Sequence, residues 1–533
     1  MKITGKNALK VLQENASRFD PESCRLKNEC LETLSKSPLP ALSRLAGYHD
    51  LLLFLLAHPH NSQTVTQTEK ELARISSQLS KHKNNPSSQL ESSGLPFTHV
   101  VTSFSHDILA WILQQKELRV DINSMTENAD ELNDLLKLTL PSLERDQTSF
   151  GYDANELFEN LQVNTNQKLP FLIAELSTYH NHPVLKDYLF EKLALELKLW
   201  SHKSSFSRSY NRFSLRPFFY HSEILKKFDH RSLFDTALPE ATNLTGTQRE
   251  QLVKTIRCSL LLMARETDPA TYLDESSLRY FELERGIAIA IYGMTETRQL
   301  PLESYVGYTL FKNGFPSAYG GAWVFGKRAL FGMNIFESFR GGESGYLMCQ
   351  LLRTYRQVFS ISNFEVEPYQ FGKNNPDGIR SGAFWFYYRF GFRPMEPALK
   401  KLAESEQKKI AAKKEYRSPY NTMERFTESY INLELEPLQQ ASVADFSVYI
   451  SAMMAGKFKS NRALAIEHCL QKFNLPKTNA TVEFALVANA LKITDQNTID
   501  LIRELAAAKA KDLYYYQQLL LRLLRHPAFK ALT

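Results

Sequence analysis

The sequence predicts an α+β fold in which a central mixed sheet, with helices on its faces, lies between largely α-helical N-terminal and C-terminal regions. Three observations support this. Leucines and aromatic residues recur at three- and four-residue spacing in "ALSRLAGYHDLLLFLLAH" (41–58) and "HPVLKDYLFEKLALELKLW" (182–200), the pattern of one buried helix face. Residues 304–339 are rich in aromatic and β-branched residues and are cut by "NG", "FP" and "GG", which is typical of strands joined by tight turns. From Ala441 onwards the helical spacing returns.

The length of the chain predicts several domains, because 533 residues exceed what one core usually holds. We expect a mostly helical region at 1–270, a central region at 271–437 and a helical region at 438–533. The stretch 80–96 breaks the helical pattern with Ser, Asn and Pro, which predicts a linker that divides the first region into two subdomains. The basic, serine-rich stretch 201–222 is predicted to be a solvated connection.

Composition excludes some classes of protein. The formal charge of +6 is small for this length, and no long Lys/Arg block indicates a nucleic-acid partner. Five cysteines without a C-x-x-C pair fit a reducing compartment. The longest apolar run, "LLLFLLA" (51–57), falls far short of the roughly 20 residues of a membrane-spanning helix. We therefore expect a cytoplasmic protein without a membrane span, and no metal site, because "HPH" (58–60) has no acidic or cysteine companion nearby.

Within the central region the sequence predicts a definite order of elements. Antiparallel strands and a glycine turn come first, followed by a helix, a strand, a loop and a second helix. The predicted strands lie near 305–312, 321–327, 330–338, 363–371 and 428–437.

Two short motifs in this region bear on chemistry. "SGAFWFYYRFGF" (381–392) places Ala383, Phe386, Tyr387 and Phe390 on one helix face. Gly391 would end that helix. From the residues alone, Tyr387 is either a core tyrosine or an acid. "RGGESG" (340–345) puts glycines at the start of a helix, where backbone amides bind anions.

With these motifs, the segment from about 275 to 437 resembles the GNAT superfamily of acyl-CoA N-acyltransferases. Ala383, Phe386, Tyr387, Gly391 and Phe392 occupy, in order, the positions of the family's motif on the helix after its fifth strand. The resemblance implies that Tyr387 protonates the departing CoA thiolate. A phenol with a pKa near 10 can do so when it is within hydrogen-bond reach.

The resemblance also implies that acetyl-CoA or another acyl-CoA is the co-substrate, with its pyrophosphate at 340–345. There Glu343 stands where the family has glycine. Its carboxylate would repel a phosphate by a few kcal/mol at an effective dielectric constant near 20, unless the side chain points elsewhere. The implied cofactor-binding residues are Ile335, Phe336, Arg340, Gly341, Gly342, Ser344 and Gly345.

In this resemblance the main chain at Ile335 and Phe336 would pair with the pantetheine arm like an added strand. The strand at 363–371 would diverge from the one at 330–338 and make room for the thioester. Glu337 is the candidate base for an amine acceptor. Glu365 and Glu367 are alternatives, and each of the three is otherwise a polar position facing solvent.

Three hypotheses on function remain open from sequence. The first is an N-acyltransferase that uses acyl-CoA and an amine. The second is a catalytically silent GNAT-like scaffold for protein interactions. The third is a transferase whose donor is an acyl carrier or an aminoacyl-tRNA. The apolar stripe of the terminal helix (499–526) must cover either the central region or another surface, which leaves a homo-oligomer or a protein partner open.

Overall fold

The computed structural model describes residues 3–125, 129–148, 151–438 and 440–530, and within them eight strands form one sheet and three form another. In chain order the strands are β1 (Val100–Thr102), β2 (Arg119–Ser124), β3 (Glu196–Trp200), β4 (Arg279–Glu282), β5 (Ile287–Tyr292), β6 (Ser304–Lys312), β7 (Phe315–Phe325), β8 (Arg328–Ile335), β9 (Asn363–Val366), β10 (Arg393–Pro394) and β11 (Ile431–Glu434).

Helices surround both sheets. Those before the large sheet are α1 (Ala8–Asn15), α2 (Pro21–Ser35), α3 (Leu42–Ala57), α4 (Ser62–Ser80), α5 (His106–Leu113), α6 (Ala129–Thr139), α7 (Ala154–Asn160), α8 (Lys168–Ser177), α9 (Pro183–Lys192), α10 (His230–Asp235), α11 (Gly246–Leu261) and α12 (Asp268–Thr271). The later ones are α13 (Ser344–Phe359), α14 (Pro376–Arg380), α15 (Ala383–Arg389), α16 (Pro397–Ala412), α17 (Tyr420–Phe426), α18 (Val443–Phe458), α19 (Arg462–Phe473), α20 (Asn479–Ala490), α21 (Gln496–Lys509), α22 (Leu513–Leu523) and α23 (Pro527–Lys530).

The large sheet has the order β10-β11-β9-β8-β7-β6-β5-β4. Its neighbouring strands are antiparallel except β8 and β9, which are parallel. This pair is joined only from Arg328 opposite Asn363 to Leu330 opposite Glu365, although β8 continues to Ile335. Parallel neighbours need a crossover connection, and α13 provides it.

Of the turns that the sequence predicted in this sheet, the one at "NG" is present and the one at "GG" is not. Asn313 and Gly314 both have positive φ (48° and 84°), as expected for the predicted "NG" hairpin between β6 and β7. The prediction of a strand confined to 321–327 is wrong, because β7 begins at Phe315. "GG" lies inside this strand: a Cβ on Gly320 would be 2.7 Å from the Tyr308 hydroxyl, and one on Gly321 would be 2.5 Å from the Tyr305 ring. These glycines make room for rings rather than for a turn.

The two faces of the large sheet bury different partners. On one face, side chains such as Ile289, Tyr308 and Phe331 pack with α13 and α15. On the other, Ala290, Phe311 and Tyr319 share a core with α3, α4 and α11. The prediction of a mixed sheet with helices on both of its faces is therefore confirmed.

The N-terminal region is not entirely helical as predicted. The small sheet places β3 between β1 and β2, antiparallel to both. The helix predicted over 182–200 ends at Lys192, and Ala194 has a positive φ of 42°. Beyond it, the side chains of Leu197 and Leu199 in β3 are buried, while those of their neighbours are partly exposed. This period of two residues is typical of a strand, but it directly follows a stretch with helical spacing and was therefore missed.

The stretch 201–222 forms neither a helix nor a strand, and it is solvated only in part, because exposed and buried residues are interspersed along it. Ser207, Phe213 and His221 in it are buried. The amide of Phe213 donates to the Gly314 carbonyl and that of His221 to the Pro59 carbonyl. This segment therefore packs between the N-terminal helices and the hairpin turn of the large sheet.

The C-terminal helices pack on the large sheet, so the apolar stripe noted in the sequence covers the central region. In α22, the Tyr514 hydroxyl donates to the Ser277 carbonyl at 2.6 Å. Gln517 donates to the carbonyls of Gly326 and Phe359, at 2.6 and 2.8 Å. Thus α22 ties the start of the sheet, the β7–β8 turn and the end of α13 together.

The five cysteines are free thiols, and all except Cys24 are buried. This agrees with the expectation that they form no disulfide framework. Across the described ranges, no helix has both the length and the hydropathy required to cross a membrane.

Candidate functional site

The candidate site begins at the N-terminus of α13, directly after β8. Ser344 is the first helical residue, and Glu343 holds the capping position without a side-chain capping bond. The Glu343 carbonyl accepts the amide of Leu347. At a helix start the first backbone amides lack intrahelical acceptors, so the amides of Ser344 and Gly345 are available to an anion.

The Glu343 side chain does not face that anion position. Its carboxylate is fully buried and accepts from the Leu225 amide at 2.9 Å, from Arg285 Nε at 2.9 Å and from Lys312 Nζ at 2.5 Å. Burial would raise its pKa, but Lys312 and Arg285 outweigh burial and hold the pKa well below the usual value. One carboxylate thus meets two cations, and a net positive charge remains beside the helix start.

Two histidines line the same charge cluster. His221 has a fully buried side chain, and neither ring nitrogen has a hydrogen-bond partner among the described residues. His58 lies 5.2 Å from it, centroid to centroid, and its Nε2 is likewise unpaired. Burial, reinforced by Lys312, lowers the pKa of His58 to about 3 and that of His221 to about 2. Both imidazoles are therefore neutral at neutral pH.

The three glycines of "RGGESG" differ in what surrounds them. Gly341 has φ 80°, and nothing lies within 4 Å of its virtual Cβ. A Cβ on Gly342 would be 2.9 Å from the His58 ring, and one on Gly345 would be 2.3 Å from the Phe390 ring. Gly345, which was predicted to allow close approach of a phosphate, thus allows close approach of an aromatic ring.

The second part of the site is the gap between β8 and β9. Beyond Leu330 the two strands are no longer paired. Ile335 pairs with Ala318 of β7, and the amide of Phe336 donates to the Ser317 carbonyl at 3.0 Å. The Ile335 carbonyl accepts from Arg340 at 3.3 Å. The edge of β8 facing the gap, from Gly332 to Ile335, is partly or fully exposed.

Tyr387 of α15 packs against β8 where its pairing with β9 ends. The ring is edge-on to Phe331 and Phe392, at 6.2 and 5.5 Å between centroids. Only 4% of the residue is exposed, and its hydroxyl has no hydrogen bond to any residue in the described ranges. Burial raises the pKa of Tyr387, so the phenol stays protonated.

A second phenol lies close to Tyr387. The Tyr308 hydroxyl donates to the Gly332 carbonyl at 2.8 Å. Burial raises the pKa of Tyr308, with added repulsion from Tyr355 and Tyr387. On the gap side, the Gln370 side chain lies against Gly332, 2.8 Å from its virtual Cβ.

The candidate bases differ in their partners. Glu337 begins a short 3-10 helix (Glu337–Phe339), and its carboxylate accepts from Arg265 at 2.8 Å and Arg340 at 3.3 Å. Burial would raise its pKa, but Arg265 and Arg340 lower it overall, which makes it a weak base. Glu365 is paired with Arg328 at 2.6 Å. Glu367, just after β9, forms no ion pair with a described residue.

Sequence reasoning missed the residues that hold Glu343. Lys312 precedes an "NG" turn, where a lysine usually faces solvent. The signal that could have found it is alternation in β6, since Val306, Tyr308 and Leu310 share its face and are buried. No such signal exists for Arg285, whose positive φ of 60° lies in the β4–β5 turn.

Together these residues can hold an anion at a helix start and a protonated phenol beside a strand gap. In the described part of the chain, no group of three or more His, Cys, Asp or Glu residues is arranged to hold a metal ion. No protein-family model, curated protein or solved structure matches this chain.

Replacement of Glu343 by Gln should destabilise the protein, because it leaves Lys312 and Arg285 buried without a counter-charge. We expect a loss of about 3–5 kcal/mol in the free energy of unfolding, measured by urea denaturation. Glu337→Gln, at a half-exposed carboxylate, is the control and should cost about 1 kcal/mol or less. Equal losses in the two variants would contradict the assignment of Glu343 as the buried anchor.

His221→Phe should reduce sensitivity to acid. The unfolded chain takes up a proton at this histidine near pH 6.5 and the folded chain only near pH 2, so stability falls as pH drops below 6.5. Phe fits among Phe19, Phe219 and His58. The stability lost between pH 6.5 and 4.5 should shrink by about 2–3 kcal/mol. The control is His180→Phe, at an exposed histidine, and it should leave that loss of stability unchanged. If the dependence of stability on pH were unchanged in His221→Phe, the folded protein would take up a proton at His221 as readily as the unfolded chain does.

Proposed function

We propose that the central region is an acyl-CoA-dependent N-acyltransferase of the GNAT type, which transfers an acyl group to an amine. The observation that carries the proposal is the parallel β8–β9 pair. It parts after Leu330, and Tyr387 lies against β8 at that point, its hydroxyl free of hydrogen bonds to described residues. A thioester in this gap would be within reach of a protonated phenol.

The order of elements supports the family resemblance. Antiparallel strands lead to β8, a glycine turn leads to α13, and β9, a loop and α15 follow. This is the order in which the GNAT motifs occur in the sequence. The tyrosine that the resemblance implies as the acid, Tyr387, lies on α15 in this order.

The reaction assigns a step to each group. The amine nitrogen attacks the thioester carbonyl, the carbon–sulfur bond breaks, and the thiolate takes the proton of Tyr387. The amine proton passes to a carboxylate, directly or through water. Glu337 is the base implied by the resemblance, but its two arginines weaken it. This favours Glu367, a carboxylate that forms no ion pair with any described residue.

The donor is proposed to place its pyrophosphate at the start of α13. The amides of Ser344 and Gly345, the exposed Arg340 and the net positive charge of the cluster around Glu343 all favour an anion there. Because Glu343 points into its cation pair, it does not oppose the phosphates as a free carboxylate would.

Two contacts favour the alternative, a catalytically silent scaffold. Phe390 covers Gly345 and the Gln370 side chain lies against Gly332, so both the phosphate turn and the gap are partly occupied by the chain itself. A donor carried by an acyl carrier or a tRNA, which needs no pyrophosphate turn, remains a variant of the transferase proposal.

Tyr387→Phe is the test of the mechanism. With acetyl-CoA and a panel of primary amines, we expect the rate of thiol release to fall by about 10²–10⁴-fold. Folding should be unaffected because the hydroxyl has no hydrogen bond to a described residue. The neighbouring Tyr388→Phe is the matched control and should keep the rate within about twofold. Thiol release that survives in Tyr387→Phe would remove the proposed acid, and no release by the wild type with any acyl-CoA would favour the scaffold.

A further inference from the structure

A cavity of about 600 Å³ lies between the small sheet's helices and the large sheet, away from the gap described above. It is bordered by the residues before α5, by the end of α9, by α12 and by the segment after β5. Its apolar walls include Phe104, Phe190 and Tyr272. The volume is in the range that holds a small organic ligand.

The charges around this cavity are unbalanced. Asp187, Glu191, Glu266 and Asp268 line it together with Arg298. Arg298 pairs with Asp187 and Asp107, and Asp107 also pairs with Lys186, so these two cations and two carboxylates balance one another. Within the described ranges, neither Glu191, Glu266 nor Asp268 forms an ion pair. The cavity therefore presents an excess of negative charge.

The acceptors in the cavity differ in whether the protein already uses them. Glu266 accepts from the Ser105 amide at 2.9 Å and from the Thr271 hydroxyl at 2.7 Å. The Asp268 carboxylate, at the start of α12, accepts no hydrogen bond from a described residue. Partial burial raises the pKa of Asp268, and the attraction of the Arg298 charge only partly offsets this rise.

A buried histidine provides a second, independent observation. His106 is 3% exposed, lines the cavity, and contacts the Ile173 carbonyl through Nε2 at 2.9 Å. A carbonyl only accepts, so Nε2 carries a hydrogen, and in the tautomer with a single hydrogen Nδ1 would be a lone-pair acceptor. Nδ1 is 4.0 Å from Asp107 and has no hydrogen-bond partner among the described residues. A buried acceptor without a donor is uncommon in proteins.

We propose that this cavity binds a small organic cation, an ammonium or guanidinium group on a short apolar chain, whose N–H groups donate to Asp268 and His106. The cation would balance the carboxylates, and the chain would contact Phe104, Phe190 and Tyr272. The inference does not depend on acyl transfer. Asp268 precedes Pro269, which packs on Gly307 of β6, so the ligand lies against the large sheet.

The test is isothermal titration calorimetry of the full chain with n-pentylamine, agmatine and the uncharged n-pentanol. We expect saturable binding of the two cations and none of the alcohol. Asp268→Asn should weaken the binding of both cations by about 10–100-fold, because it removes one charge-assisted hydrogen bond to the ligand. Asp268 is exposed to the cavity, so the variant should fold, as circular dichroism will verify.

Asp377→Asn is the control, because Asp377 is an exposed carboxylate paired with Arg380 far along the chain in α14. Its affinity for the cations should equal that of the wild type. Three results would overturn the proposal: no binding of either cation at about 1 mM, pentanol binding as tightly as pentylamine, or unchanged affinity in Asp268→Asn.

Discussion

The parallel contact between β8 and β9 is the constraint on which the arrangement of the central region depends. It is the one parallel pair among the described strands of the large sheet, and it extends over three residue pairs. A parallel neighbour requires a crossover, so α13 must start where β8 ends and return across the sheet. Beyond Leu330, β8 no longer pairs with β9, and Tyr387 packs against the Phe331 ring at this point.

The start of α13 is held to the sheet by charge rather than by a capping side chain. Glu343 joins Lys312 at the end of β6 to Arg285 in the β4–β5 turn. One strand, one turn and one helix therefore meet at a single carboxylate. The first amides of the helix lie beside this charge cluster, and the Phe390 ring lies over Gly345. Glu343 thus anchors the helix start to the sheet, and its carboxylate points into the cation pair.

Local patterns in the sequence predicted those elements whose conformation depends on residues close together in the chain. The "NG" hairpin, α13 and the helix carrying Tyr387 each depend on residues close in sequence, and each is present. The contacts that decide the site are distant in sequence. Phe390 lies over Gly345, and Lys312 pairs with Glu343. A glycine can be required by a phosphate, by a ring or by a turn, and sequence alone does not distinguish these reasons. The small sheet was missed because its strands are short and lie among helices.

The central claim is that an acyl thioester occupies the edge of β8 with its phosphates at the start of α13. Amide hydrogen exchange, read by mass spectrometry with and without saturating acetyl-CoA, tests it most directly. The account predicts slower exchange in two separate segments, 331–336 and 344–347, and no change in the remote helix α19. Unchanged exchange in both segments would contradict it and would favour the hypothesis of a catalytically silent scaffold.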